Sequence, residues 1–264
     1  MASAPQPNLP LFYQDLMPLN SRDHGTWRAR SMESAPWLKG QHAIPLTVEE
    51  FPQAQRHYPI IFASGDNPVP LALMGLNEGV NVFVNDDGKI DSPVYLPAYI
   101  RRYPFLLAKL TQDTQELSLC FDPTSDMIGD FAEGEALFAD GEPTDATKNA
   151  LSFCENFEQA GQRTAAFIEE IKKHDLLMEG EVAIQQEGVE APFLYRGFQM
   201  IDQEKLRELR GDVLRNWNQN GLIAMVYAHL FSLDLMRDIF GRQQMLGKGP
   251  TPAAAAVPAA APAA

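Results

Sequence analysis

The sequence is short of the groups that most active-site chemistries need. Of 264 residues, two are cysteine and five are histidine. Cys120 and Cys154 form no C-x-x-C pair, so neither a zinc ribbon nor a redox dithiol is supported. Each is flanked by apolar residues and reads as a small buried hydrophobe. The histidines, at 24, 42, 57, 174 and 229, share no metal-ligand spacing. Basic charge is scarce too: 21 Lys and Arg face 35 Asp and Glu, a net charge of −14. Such a surface repels phosphate backbones and anionic lipid, which argues against nucleic acid and membrane-surface partners. Long apolar runs are missing as well. The most apolar stretch, Leu222 to Phe240, is broken by His229, Asp234, Arg237 and Asp238, so no membrane span is expected. There is no phosphate loop, dinucleotide fingerprint, His-Glu-x-x-His or nucleophile elbow, and hence no implied cofactor or metal. The opening MASAPQPNLPLFYQDL lacks a basic n-region and a sustained apolar core. The expected compartment is therefore the cytoplasm, with signal-less export left open.

What the sequence does have is a dense central stretch, residues 58 to 105. Tyr58 to Ala63 and Val69 to Met74 are apolar runs separated by Ser64-Gly65-Asp66-Asn67-Pro68, a turn signal, and read as a hairpin. Pro68 and Pro70 cannot donate to a ladder, so the second strand starts late or lies at an edge. Asn81 to Val84 reads as a third strand, closed by the tight turn Asn85-Asp86-Asp87-Gly88. A calcium loop using Asp86, Asp87 and Asp91 is the rival, but the alternating ligands and the terminal Glu are missing. Phe105 to Leu110 and Glu116 to Phe121 form a further pair, giving an antiparallel meander of about five or six strands.

Between these strands lies YLPAYIRRYPF, residues 95 to 105. Pro97 suits a first helical turn and Pro104 ends it. Tyr95, Tyr99, Arg102 and Tyr103 are about one turn apart, with Arg101 beside them. Two readings compete. These five residues line the pocket of an enzyme or of a binding protein for a small anionic ligand, since guanidinium groups pair with carboxylate or phosphate. Alternatively they buttress the sheet, the rings covering it and the arginines satisfying nearby carbonyls and carboxylates; the buttress is favoured.

YPIIFA, the ALMGL–NVFV pair and YLPAYIRRYPF, in that order, resemble the SapC family of bacterial proteins. The likeness runs from about residue 11 to 242 and takes in FYQDLMPLN near the start and AHLFSL near the end. The family is named for a protein associated with the surface array, or S-layer, of a Gram-negative bacterium. The resemblance implies a non-catalytic accessory or binding protein with a protein partner and a loose cell-surface association, and transfers no site.

The flanks complete the picture. Residues 1 to 10 are Pro-rich, and 247 to 264 form a Pro/Ala tail expected to be disordered, leaving one domain over 11 to 246. Residues 20 to 42 combine Arg22, Arg28, Arg30 and Lys39 with Trp27 and Trp37, either a binding lip or, as favoured, an arm packed on the domain. Thr47 and Glu50 have capping-box spacing. The acidic stretch 122 to 145 reads as a solvated loop pinned by apolar residues, in preference to a cation site. Residues 147 to 174 read as a long amphipathic helix. Strands at 176–184 and 193–201 precede helices from 203, over 213–217 and over 222–240. His229 on the last apolar stripe reads as a satisfied core residue in preference to a ligand or base. The expected class is α+β: an antiparallel sheet covered by C-terminal amphipathic helices.

Overall fold

The computed structural model describes residues 9–90, 93–110, 116–186, 188 and 191–249. Residues 1–8, 91–92 and 111–115, part of 185–192 and nearly all of 247–264 lie outside the described residues. The chain is α+β, its sheets antiparallel throughout. The helices are α1 (Ser21–His24), α2 (Phe51–Ala54), α3 (Ala98–Arg102), α4 (Asp145–Lys173), α5 (Gln203–Arg207), α6 (Gly211–Gln219), α7 (Leu222–Ser232) and α8 (Leu235–Met245). Contacts divide the described residues into two compact units, 9–33 with 99–159 and 34–98 with 160–249.

In the first unit the strands Phe105–Ala108 and Ser118–Phe121 form the expected hairpin, with Leu106 opposite Cys120. Met17–Pro18 adds a third strand on the other side of Ser118–Phe121. A second small sheet places Arg28–Ala29 between Ile128–Gly129 and Glu135–Ala136. The acidic stretch is thus pinned, as expected, by burial of Ile128, Leu137 and Phe138 beside Phe121. Trp27 and Phe105 pack on that cluster, and His24 meets Trp27 and Phe121 edge-on at 4.6 and 5.2 Å.

The second unit is built on a five-stranded sheet in the order Leu177–Glu179, Phe198–Ile201, Ile60–Ala63, Pro70–Leu73, Ala43–Pro45. The hairpin at its centre is the expected one, and the second strand does start late, at Pro70. Ile60 and Phe62 on one strand, and Ala72 on the next, are fully buried, which leaves both strands needing neighbours on their outer edges. Residues 43–45 and 198–201 supply them. The expected single run of strands from 58 to 121 is therefore divided: its two hairpins belong to separate sheets. Asn81–Val84 is also not a strand. The Asn81 side chain accepts from Phe83 N at 2.9 Å and donates to Leu38 O and Gln41 O, so backbone groups that a ladder would use are held by a side chain instead. Only the bridge Val84–Ile90 remains, closing the turn where Asn85 Oδ1 accepts from Asp87 N and Lys89 N and Gly88 takes φ +78°. Asp91, one of the three carboxylates of the calcium-loop reading, lies outside the described residues.

Helices cover this sheet. Phe51, Phe62, Ile171, Trp217 and Val226 are all buried, each large side chain stabilising by about 1.5–3 kcal/mol. The capping box forms as its spacing requires, and Asp202 caps α5 through Glu204 N and Lys205 N. The expected last helix is two, α7 and α8, interrupted after Ser232. Its His229 is a satisfied core residue. Nδ1 donates to Ile60 O at 2.8 Å, Nε2 accepts from Ile201 N at 3.1 Å, and Ser232 Oγ accepts from Ile60 N at 2.8 Å. Among the described residues no helix is long and apolar enough to cross a membrane.

Candidate functional site

α3 begins at Ala98, one residue after Pro97, and this decides which of the five predicted residues meet. Tyr95 precedes the helix and is not on its face. It belongs to the second unit, where its hydroxyl donates to Glu50 Oε1 at 3.0 Å and its carbonyl accepts from Tyr58. It takes no part in the anion pocket expected of it. Tyr99, Arg101, Arg102 and Tyr103 lie in the first unit.

Arg102 is the centre of that group. Its guanidinium lies 4.3 Å from the Phe157 ring centroid and 4.7 Å from that of Tyr99, with Tyr13 at 5.9 Å. Three rings around one cation contribute about 0.5–2 kcal/mol each at partly desolvated sites. Nη1 stands 3.5 Å from Glu158 Oε1, a pair in which the arginine is 7% exposed and the glutamate 44%. Arg102 also hydrogen-bonds the Tyr99 hydroxyl, which donates to Leu11 O. Its Nε, however, is buried without an acceptor. An unmet donor of that kind costs about 1–3 kcal/mol, more when charged. The favoured buttress reading therefore accounts for the rings and for Tyr99, and leaves one arginine nitrogen over.

The tyrosines around it are structural. Tyr13 donates to Phe105 O at 2.6 Å, and burial raises its pKa far beyond the ordinary phenol value. Tyr103 meets the Tyr13 ring edge-on at 5.2 Å and bonds Asp122 and Ser125; burial, with the Asp122 charge, pushes it up to about 12. Asp122 is fully buried and accepts from Gln14 N, Thr124 N and Thr124 Oγ1.

Arg102 opens onto a cleft of about 290 Å³. Its polar lining is Arg30, Arg101, Arg102, Tyr103 and Asn149, and its apolar lining includes Phe105, Met127, Ile128 and Phe153. Neighbouring rings hold the outer arginines: Arg30 lies 3.6 Å above Phe131 and Arg101 lies 5.2 Å above Phe153. Among the described residues no carboxylate lines the cleft, although the chain carries 14 more acidic than basic groups. Cys154 at its wall has its thiol pushed up to about 12 by burial, so it is neutral there. Both cysteines are buried and unbridged.

Three of the five predicted residues, Arg101, Arg102 and Tyr103, thus share one cleft, with Tyr99 packed beneath. Arg30 joins them from the basic stretch 20–42, for which an arm packed on the domain is the favoured reading over a binding lip. Asn149 and Phe153 come from α4, where one polar and one apolar residue at helical spacing carry no signal of their own. Among the described residues no group of His, Cys, Asp and Glu is arranged to hold a metal ion.

No curated protein and no solved structure matches the chain. A family model described as SapC matches residues 19–239, a span that includes Arg30, α3 and the part of α4 that lines the cleft. On that match, which covers most of its length, the chain belongs to the SapC family.

Proposed function

We propose that this SapC-family chain is a non-catalytic binding protein that takes a small anion in the arginine cleft of its first unit. The observation that carries the reading is the lining: among the described residues, three guanidinium groups and no carboxylate, in a chain of net charge −14. Such one-signed convergence in a concave, largely apolar site is what anion recognition requires. Catalysis fits less well. The groups at the wall that ionise, Tyr103 and Cys154, are both held near 12, so neither serves as a base or nucleophile at neutral pH. The accessory role, with a protein partner and a link to the bacterial surface or S-layer, is supported by family membership alone. The cytoplasm is the proposed compartment, and the two free, buried thiols are in keeping with it.

The test is thermal denaturation at constant ionic strength with a panel of phosphate, citrate and benzoate. At least one member is expected to raise Tm in the parent chain and not in the Arg30→Gln/Arg101→Gln variant, whose side chains are exposed and whose fold is retained. If no anion discriminates the two chains, the reading fails. Native mass spectrometry of protein purified from its own host then separates a bound small acid from a co-purified protein partner.

A further inference from the structure

The cleft has more structure than a general anion site needs. Resting on the reading just proposed, we infer that its ligand is a carboxylate carrying a short apolar or aromatic body. The carboxylate lies against Arg102 Nε, and the body lies along the wall formed by Phe105, Met127, Ile128 and Phe153.

Three observations converge on this class. The first is the unmet donor. Arg102 is 93% buried by its 7% exposure, and among the residues lining the cleft its Nε is the one buried side-chain nitrogen or oxygen without a partner. Nη1 is already engaged by Glu158, and the guanidinium also reaches the Tyr99 hydroxyl. The donor left without any partner is the Nε–H, which one carboxylate oxygen satisfies.

The second is the composition of the wall. Beyond the arginines, the polar side chains there are Asn149, Tyr103, whose hydroxyl is already bonded to Asp122 and Ser125, and the neutral Cys154 thiol; the rest is apolar. Inorganic anions would lose hydration against such a surface without replacing it, whereas a hydrocarbon body gains from leaving water. The third is size. A cleft of about 290 Å³ lies at the low end of the range for small-molecule sites, roughly 300 Å³ upward, which suits a ring or short chain and not a nucleotide. The stacked guanidinium groups of Arg30 and Arg101 stand at the rim, where they draw the anion in while the apolar end is buried.

The experiment is isothermal titration of the full chain with 3-phenylpropanoate, its uncharged amide, and inorganic phosphate. The acid is expected to bind with a dissociation constant below about 1 mM and the amide at least about tenfold more weakly. Arg102→Lys keeps the cation and removes Nε, and Phe153→Ala shortens the wall. Each is expected to weaken the acid by about tenfold or more. If Arg102→Lys does not fold, Phe153→Ala decides. Equal binding of acid and amide, or unchanged affinity in a folded Arg102→Lys or Phe153→Ala chain, overturns the inference. Binding of phosphate but not of the acid overturns it too, while leaving the anion reading intact. No binding by any probe removes both. A free acid and the C-terminus of a peptide present the same chemistry. Titration with N-acetyl-phenylalanine and with Ala-Ala-Phe separates them: the peptide binding more tightly than the acetylated residue identifies a chain terminus as the source, the reverse a free acid.

Discussion

At the scale of single residues, His229 is where acid acts on the folded state. Its imidazole joins Ile60 and Ile201 on adjacent strands and is fully buried. Burial holds its pKa down to about 4, against an ordinary 6.5. Between those values the unfolded chain takes up a proton that the folded chain refuses, so this contribution is complete above 6.5 and is lost as pH falls toward 4. The shift corresponds to on the order of 3 kcal/mol. Urea denaturation at pH 7.5 and pH 5 should show His229→Gln less stable than the parent at pH 7.5 by about 1–3 kcal/mol, with a smaller loss on acidification. Parallel losses in both chains would mean that carboxylates alone govern acid stability.

At the scale of elements, one carboxylate ties the 3₁₀ turn Val48–Glu50 to the start of α3. Glu50 Oε2 accepts from Thr47 N and Thr47 Oγ1 at 2.8 and 2.9 Å, and Oε1 accepts from Tyr95 and from Ala98 N at 3.0 and 2.6 Å. Glu50→Gln sets an amide nitrogen against two donors. It is expected to cost about 1–3 kcal/mol in urea denaturation, and an unchanged midpoint would refute this. Half of this node was legible beforehand. Thr47 and Glu50 are three residues apart, and capping is a local rule. The two hairpins were legible for the same reason, apolar runs bounded by turn residues. Their division between two sheets was not, because the strands that flank them, Ala43–Pro45 and Met17–Pro18, are too short to show a period. Within the site, Arg101, Arg102 and Tyr103 stood out by density. Tyr95 was misplaced because one-turn spacing counts only inside a helix, and α3 starts three residues later. Asn149 and Phe153 look like any amphipathic helix until something faces them.

At the scale of the whole molecule, the net charge of −14 opposes the approach of the anion proposed for the cleft. The two effects have different ranges. Repulsion by distant carboxylates reaches about 30 Å at 0.01 M salt and about 8 Å at 0.15 M, while contact with an arginine is nearly unscreened. The association rate of an anionic ligand such as 3-phenylpropanoate should therefore rise with salt, by roughly twofold or more between those concentrations, as read by stopped-flow fluorescence. A rate that falls would mean the cleft's own field outweighs the rest of the surface. The histidine clamp between strands has a counterpart at this scale. The isoelectric point is about 4.7, and the clamp releases on the way to a pH of about 4. The molecule thus loosens as its net charge passes through zero, when nothing keeps opened chains apart. Acidified solutions will turn cloudy where a more basic protein would merely unfold, and returning them to neutrality will recover less than was dissolved.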